Sequence, residues 1–449
     1  MADDDTSFQV FLEQHPDIEI FEMLLPDVCG GLRGKWVPRD KVHKLRAGQL
    51  KLPLSSLAFD VWGRDGDTWV FQGGDGDGFC EPDTRTLVPV PWQQRATAQV
   101  VVSMRAVDGM PCAYDPRHIL RGLMARFAAR GLTPVVASEM EFYLLRDERD
   151  TLGRPVHTQT DRVGGVLASG QTYCIDVMED MAELMHGIRD ACRLQGLLID
   201  TLIKESAPSQ YEINLCHSAD ALVAADQAMM LQRAIKGVAR QHGLRATFMA
   251  KPFRELAGSG MHVHCSVLNA RGANAFDDGS ARGNELLRQA VAGCLATLPE
   301  CMLLFSPSLN SYRRFQGGNH APLTASWGYE NRTVAVRIPA DAPAAMRIEH
   351  RVAGADANPY LAIAAVLAGV LHGIDNALQP PPPLTGNAYD QLSADLPRYW
   401  PQALSCFAGS AFVRDNFSAD FQRVYTNLKQ QELNEFDRQV TPMEYDACL

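Results

Sequence analysis

The sequence predicts an α+β protein in two parts, a small β-rich N-terminal domain over residues 1–112 and a larger domain over 113–449. Three observations support this. Residues up to about 112 are rich in Gly, Pro and Asp, and short strand-like runs at Thr68–Phe71 and Ala98–Ser103 are separated by turn clusters. From Asp115 onward, apolar residues at helical spacing alternate with short runs of period two. The 449 residues, 46% of them hydrophobic, suffice for a large core divided between two domains.

Taken in chain order, the stretch Gly73 to Gly78 (GGDGDG) reads as a turn, because the twelve-position loop ending in Glu that calcium requires is absent. Pro116 sits where a first helical turn tolerates proline, and Ile119, Leu120, Leu123, Met124 and Phe127 form one apolar face. Similar stripes predict core-facing helices over Val177–Leu194, Ala221–Val238, Asn284–Leu298 and Tyr360–Ile374. The four prolines of LQPPPPL cannot continue a helix, so a surface loop is expected there.

Composition narrows the partners. No stretch approaches the roughly 20 apolar residues of a bilayer span. The N-terminus, MADDDTSFQVFLEQH, lacks the basic and apolar regions of an export signal. Eleven cysteines, scattered singly without a C-x-x-C pair, argue against a disulfide framework or a zinc knuckle, and a reducing cytoplasm is the expected setting. The net charge of −11 disfavours nucleic acid and anionic membrane as partners and leaves a small-molecule substrate.

The informative residues lie in strands, where side chains two apart share a face. In VVASEMEFYLL, Glu139, Glu141 and Tyr143 oppose an apolar face formed by Val136, Met140, Phe142 and Leu144. In QYEINL, Gln210, Glu212 and Asn214 lie together, with Glu205 upstream across a Pro-containing bend. His262, His264 and Ser266 share a face of GSGMHVHCSV, and Arg347, Glu349 and Arg351 share a face of MRIEHRV. Each strand alone could be an ordinary half-exposed strand. Paired in one sheet, they would gather five carboxylates, two histidines and several arginines. Carboxylates so close repel unless divalent cations neutralise them, and oxygen ligands with an imidazole suit Mg²⁺ or Mn²⁺ better than zinc. Arg332 and Arg337 of NRTVAVRIP add bidentate donors suited to phosphate, whereas Arg313 of NSYRRF reads as a surface residue. Metals with arginines are the parts used in phosphoryl transfer.

Across nearly its whole length the chain resembles the glutamine synthetase family, through DVCGGLRGKWVP, SEMEFYL, KESAPSQYEINL, GSGMHVHCS, NSYRRF, NRTVAVRIP and RIEHRVAGADANPYLA in order. The resemblance implies a β-grasp-like N-terminal domain, a catalytic domain whose antiparallel sheet forms a funnel flanked by helices, and a homo-oligomeric ring, hexamer or dodecamer, with shared active sites. It implies one metal on Glu141, Glu205 and Glu212 and a second on Glu139, His262 and Glu349. It also implies glutamate on Arg314, Arg351 and the loop at Gly258, and the transferred phosphate on Arg332 and Arg337. Arg347, Ser266 and His264 would hold the nucleotide, ATP. Tyr389 aligns loosely with a tyrosine that some relatives adenylylate, or is a simple loop tyrosine.

The chain departs from the family pattern at Ala207 and Ser209, where glycines are usual, and at Ala257, where Asn is usual. Pro53 and His320 stand where ammonia-using members place carboxylates. That pattern resembles the branch making γ-glutamylamines and γ-glutamylpolyamines, and it implies a primary amine as third substrate. His320 is then the candidate base, or a solvent-facing loop histidine. Ordinary glutamine synthesis, a guanidino kinase and a non-catalytic structural relative are the alternatives.

Overall fold

The computed structural model describes residues 2–66, 74–158, 172–315 and 321–449. The run expected at Thr68–Phe71 and the candidate base His320 lie outside them. Strands β1 (Ile20–Pro26), β2 (Leu32–Pro38), β3 (Lys51–Pro53), β4 (Asp77–Pro82), β5 (Val88–Pro89) and β6 (Thr97–Arg105) form the first sheet, in the order β2-β1-β6-β4-β3 with β5 also on β6. β1 and β6 run parallel and the other pairs antiparallel. β6 is buried along almost its full length, as its near-continuous apolar run TAQVVVSM requires of a central strand. A helix at Ala2–Gln14, unexpected from the acidic N-terminal sequence, anchors through the fully buried Phe8.

The second sheet comprises β7 (Thr133–Arg149), β8 (Pro155–His157), β9 (Ile199–Lys204), β10 (Gln210–Leu215), β11 (Leu244–Thr247), β12 (Met261–Leu268), β13 (Trp327–Tyr329), β14 (Val336–Ile338) and β15 (Ile348–His350). Its order is β13-β14-β15-β12-β7-β10-β9, with β8 and β11 also on β7. All its pairs are antiparallel except β13 with β14. The 17-residue β7 is the spine, flanked by β12 on one side and β10 on the other.

The expected helices form at Pro116–Ala128, Ala221–Gln241, Glu285–Phe305 and Pro359–Asp375, each N-capped by the preceding Asp or Asn. The stripe over Val177–Leu194 is broken at Met181 into Ile175–Asp180 and Ala182–Leu194. Further helices follow from Trp400 onward, a region the sequence reading left blank. Glu285–Phe305 and Pro359–Asp375 touch backbone to backbone at Gly293, where a Cβ would come within 2.0 Å of Gly369 O. No described helix is long and apolar enough to cross a membrane.

One continuous apolar core runs from Phe8 to Leu433, so both sheets share it. Arg117, fully buried, joins them with charge as well. Its guanidinium donates to Asp226 (Nε to Oδ1, 3.0 Å; Nη2 to Oδ2, 2.6 Å), to Asp83 at 2.9 Å and to Ser103 Oγ at 2.8 Å. Tyr360 Oη donates to Asp226 at 2.6 Å. The contacts link the β4–β5 connection and β6 to three helices of the larger part.

Candidate active site

The site grows from the register of five strands. β12 sets His262 directly across from Glu139 of β7, and β10 sets Asn214 across from Glu139 and Glu212 across from Glu141. β15 sets Glu349 across from His264, and β14 sets Arg337 across from Glu349. Period-two alternation thus brings the charged positions of separate segments onto one face, as the sequence pattern predicts.

Glu139 is the centre. Its two oxygens meet His262 Nδ1 and His264 Nε2, each at 2.8 Å. His262 Nδ1 also lies 3.6 Å from Glu349 Oε1. Glu349, almost fully buried, accepts a hydrogen bond from Arg337 Nη1 at 2.7 Å and another from Arg351 Nη1. Arg347 Nε contacts His264 Nδ1 at 3.2 Å, and its Nη1 donates to Asp341 at 2.8 Å. Across β7 the surroundings change. Glu141 accepts from Gly260 N at 2.7 Å and from Gln210 Nε2 at 3.4 Å. Neither Glu141 nor Glu212 has a cation in ion-pair contact among the described residues.

Ionisation follows this division. Burial opposes charge on Glu139, but the bonds to His262 and His264 outweigh it and hold the carboxyl well below the usual range. Burial likewise opposes charge on Glu349, and Arg351 with both histidines holds it low. Glu141 is raised by burial, which His262 offsets and Glu205 reinforces. Glu212 is pushed up to about 9 by burial and then by the charges of Glu141, Glu139 and Glu205.

The donor set fits hard divalent ions. Ligand atoms of Glu139, Glu212 and His262 lie within 4.8 Å of one another, as do those of Glu139, His264 and Glu349. Carboxylate oxygens dominate both groups, with one imidazole in each, the chemistry of Mg²⁺ or Mn²⁺ rather than zinc. His264 therefore stands at the carboxylate cluster as well as beside Arg347. Buried polar atoms without a hydrogen-bond partner cluster here too: Asn214 Oδ1, Arg337 Nε and Arg351 Nε.

Glu205 follows β9, where Oε2 accepts from Ser206 N at 3.1 Å and its charge reaches Glu141 and Glu212. Lys204 ends that strand buried, its Nζ donating to Glu205 O and Ala207 O, both at 2.6 Å. Sequence reading passed over Lys204, although a lysine closing a strand next to a ligand candidate was a usable signal. Gly258 lies against Arg314: a Cβ there would meet Arg314 Cγ at 2.7 Å and Ala250 O at 2.6 Å. Arg314 is buried and donates to Val352 O at 3.0 Å, while Arg313 is exposed, as expected. Ser266, His264, Arg347 and Asn214 line a cleft of about 860 Å³ that opens beside Glu139. Arg332 is exposed in the turn before β14. Tyr389 is half-buried, its hydroxyl donating to Ala321 O at 2.9 Å. Pro53 is exposed at the end of β3, and the adjacent Ser55 donates through N and Oγ to Asp75.

Comparison with known proteins identifies the family. A family model described as the glutamine synthetase catalytic domain matches residues 113–448. Gamma-glutamylputrescine synthetase PuuA of Escherichia coli (strain K12) is 39% identical over 98% of this chain and 93% of its own length. Glutamate–isopropylamine ligase of a Pseudomonas species is 34% identical over 98% and 96%. The solved GmaS/ADP complex superposes with a TM-score of 0.84 at 27% identity, covering 98% of each chain. With the carboxylate face in place and a family model spanning most of the sequence, the chain belongs to the glutamine synthetase family.

Proposed function

We propose that this protein is an ATP-dependent carbon–nitrogen ligase that joins the γ-carboxylate of glutamate to a primary amine through γ-glutamyl phosphate. The observation that carries the reading is the convergence of carboxylates and histidines on one sheet face, with buried Arg351 bonded to Glu349 and buried Arg314 packed against Gly258 and Gly260. Relatives that are by name a putrescine and an isopropylamine ligase support an amine over ammonia.

In this reading Glu141, Glu205 and Glu212 hold one divalent ion and Glu139, His262 and Glu349 another, Mg²⁺ or Mn²⁺; among the described residues Glu141 and Glu205 lie outside the two close groups of ligand atoms, and His264 lies inside one of them. Bound there, such ions supply charge neutralisation for the carboxylates and for the phosphoryl group in flight. Arg314, Arg351 and the close backbone at Gly258 orient glutamate. Arg332 and Arg337 grip the transferring phosphate, Arg332 from an exposed turn and Arg337 from its place beside Glu349. Ser266, His264 and Arg347 take the nucleotide in the cleft they line. The amine arrives protonated, its pKa near about 10 like that of lysine, so a base must remove a proton before attack. His320 is our candidate. A homo-oligomeric ring, hexamer or dodecamer, with sites completed between subunits belongs to the same reading.

The test is glutamate-dependent phosphate release from ATP with a panel of amines and ammonium. Turnover with alkylamines or diamines at far lower concentration than ammonium is expected. Efficient glutamine formation with every amine ignored would replace this reading with ordinary glutamine synthesis, and loss of all turnover with intact folding would replace it with a structural role.

A further inference from the structure

The turn between Glu205 and Glu212 contains an anomaly. Ser209 has φ of 59°, the left-handed region where a side chain is strained and glycine is not. The residue is buried, so solvent does not relax it. Strain of this kind persists where the surroundings hold it, and here the holding contacts can be named. Ser209 Oγ accepts from Thr158 N at 3.1 Å and shares a hydrogen bond with Thr158 Oγ1 at 2.8 Å, while Ser209 O accepts from Leu144 N at 2.9 Å. The serine thereby pins its turn both to the spine strand β7 and to Thr158, just past β8.

The rest of the turn is braced to match. Lys204 Nζ closes it from below through Glu205 O and Ala207 O. Gln210 accepts from Ala207 N at 3.2 Å and passes Nε2 to Gly258 O at 3.0 Å and to Glu141. Ala207 packs in a small apolar cluster, apart from the main core, with Tyr143, Leu145, Phe253, Leu256 and Ala257. Tyr143 Oη donates to Ala257 O at 2.6 Å. The turn bearing Glu205 and the loop bearing Gly258 are thus seated on one support, and the Ser209–Thr158 contact is its outer tie.

A glycine at 209 would take the same φ without strain, so what the serine adds is its hydroxyl. We infer that Ser209, through Thr158, is a positioning residue that fixes the turn between Glu205 and Glu212, and with it the place of Glu205 as a ligand. The inference rests on the divalent-ion reading of those carboxylates. A purely structural serine would behave differently, because Ser209→Gly then relieves strain and changes nothing at the carboxylates.

The experiment measures Mn²⁺ uptake by the intact, chelator-treated protein using electron paramagnetic resonance, alongside its thermal midpoint without metal. Ser209→Gly is expected to keep or raise the midpoint yet weaken one Mn²⁺ site by about tenfold, the size typical of losing an outer support. Thr158→Val, which keeps the backbone N–H bond to Ser209 Oγ and loses the hydroxyl one, should weaken the same site to a smaller extent, and Thr158→Ser should bind like the wild type. If Ser209→Gly does not fold, the Thr158 pair decides alone. Wild-type protein that binds Mn²⁺ with variants that bind equally well overturns the positioning role only. Wild-type protein that takes up no Mn²⁺ overturns the divalent-ion reading, and this inference with it.

Discussion

The two flanks of β7 carry similar carboxylates in opposite electrostatic states. On the β12–β15 flank, Glu139 and Glu349 are matched by His262, His264, Arg337 and Arg351 and are held ionised. On the β10 flank, Glu141 and Glu212 face each other across the register with Glu205 nearby, and both are raised. One flank is neutralised by the protein itself. The other is left for a ligand to neutralise, which costs stability in the ligand-free chain and gives affinity when a cation arrives. On the divalent-ion reading, the β10 flank is where a bound cation would relieve the most repulsion.

The comparison breaks first at Glu212. Glu212→Gln should lower glutamate- and amine-dependent phosphate release by about 10³-fold, the scale of removing a main electrostatic element, while raising the thermal midpoint of the metal-free protein. Full activity in that variant would end the assignment. On the other flank the sign reverses, since Glu349→Gln strips Arg351 of its anion and leaves Arg337 only Glu330. A loss of about 3 kcal/mol is expected, the low end for breaking a buried pair, read from denaturant midpoints without metal.

pH sharpens the contrast. A carboxyl with a raised folded pKa binds its proton more tightly when folded, so its favourable contribution is present below the ordinary carboxylate range and is lost as pH climbs through the folded value. The chelator-treated protein should therefore lose stability between about pH 5 and pH 9 through Glu212, and Glu212→Gln should flatten that slope. Thermal midpoints across that range, with and without Mn²⁺, check it, and an unchanged slope would place the loss elsewhere. A smaller effect is expected at Arg314→Lys. The glutamate KM should rise about tenfold with the ATP KM little moved, because a point charge replaces a planar fork in a buried slot. Smallest is the amine series, in which each added methylene should improve kcat/KM about fourfold until the pocket is filled. A flat series would mean that the amine makes no apolar contact.

Much of this was legible in the sequence because strands write their faces at period two. Glu139 with Glu141, Glu212 with Asn214 and His262 with His264 could each be assigned a face before any pairing was known, and the register only had to bring them side by side. What pairing adds could not be read. That Glu139 is shared by both histidines, while Glu141 is left to a backbone N–H and an amide, depends on which strand lies on which side of β7. Ser209 was visible as a departure from the family pattern, but its left-handed φ and its tie to Thr158, 51 residues away, belong to tertiary structure. The helices from Trp400 onward were missed, as was the break at Met181, where an unbroken apolar stripe gave no warning of two separate segments.

Arg117 carries a consequence for how this molecule can be taken apart. Its guanidinium is satisfied jointly by Asp83, from the N-terminal sheet's side, and Asp226, from a helix of the larger part. Cutting the chain near residue 112, where the sequence changes character, would leave that cation short of one anion and would bare, on the larger part, the apolar core that β6 shares with it. A fragment beginning there should be recovered as aggregate rather than as a working enzyme. For protein engineers, exchanging the N-terminal sheet between relatives would require moving Asp83, Ser103, Arg117 and Asp226 as a set, since the seam between the parts is an electrostatic lock and not a linker.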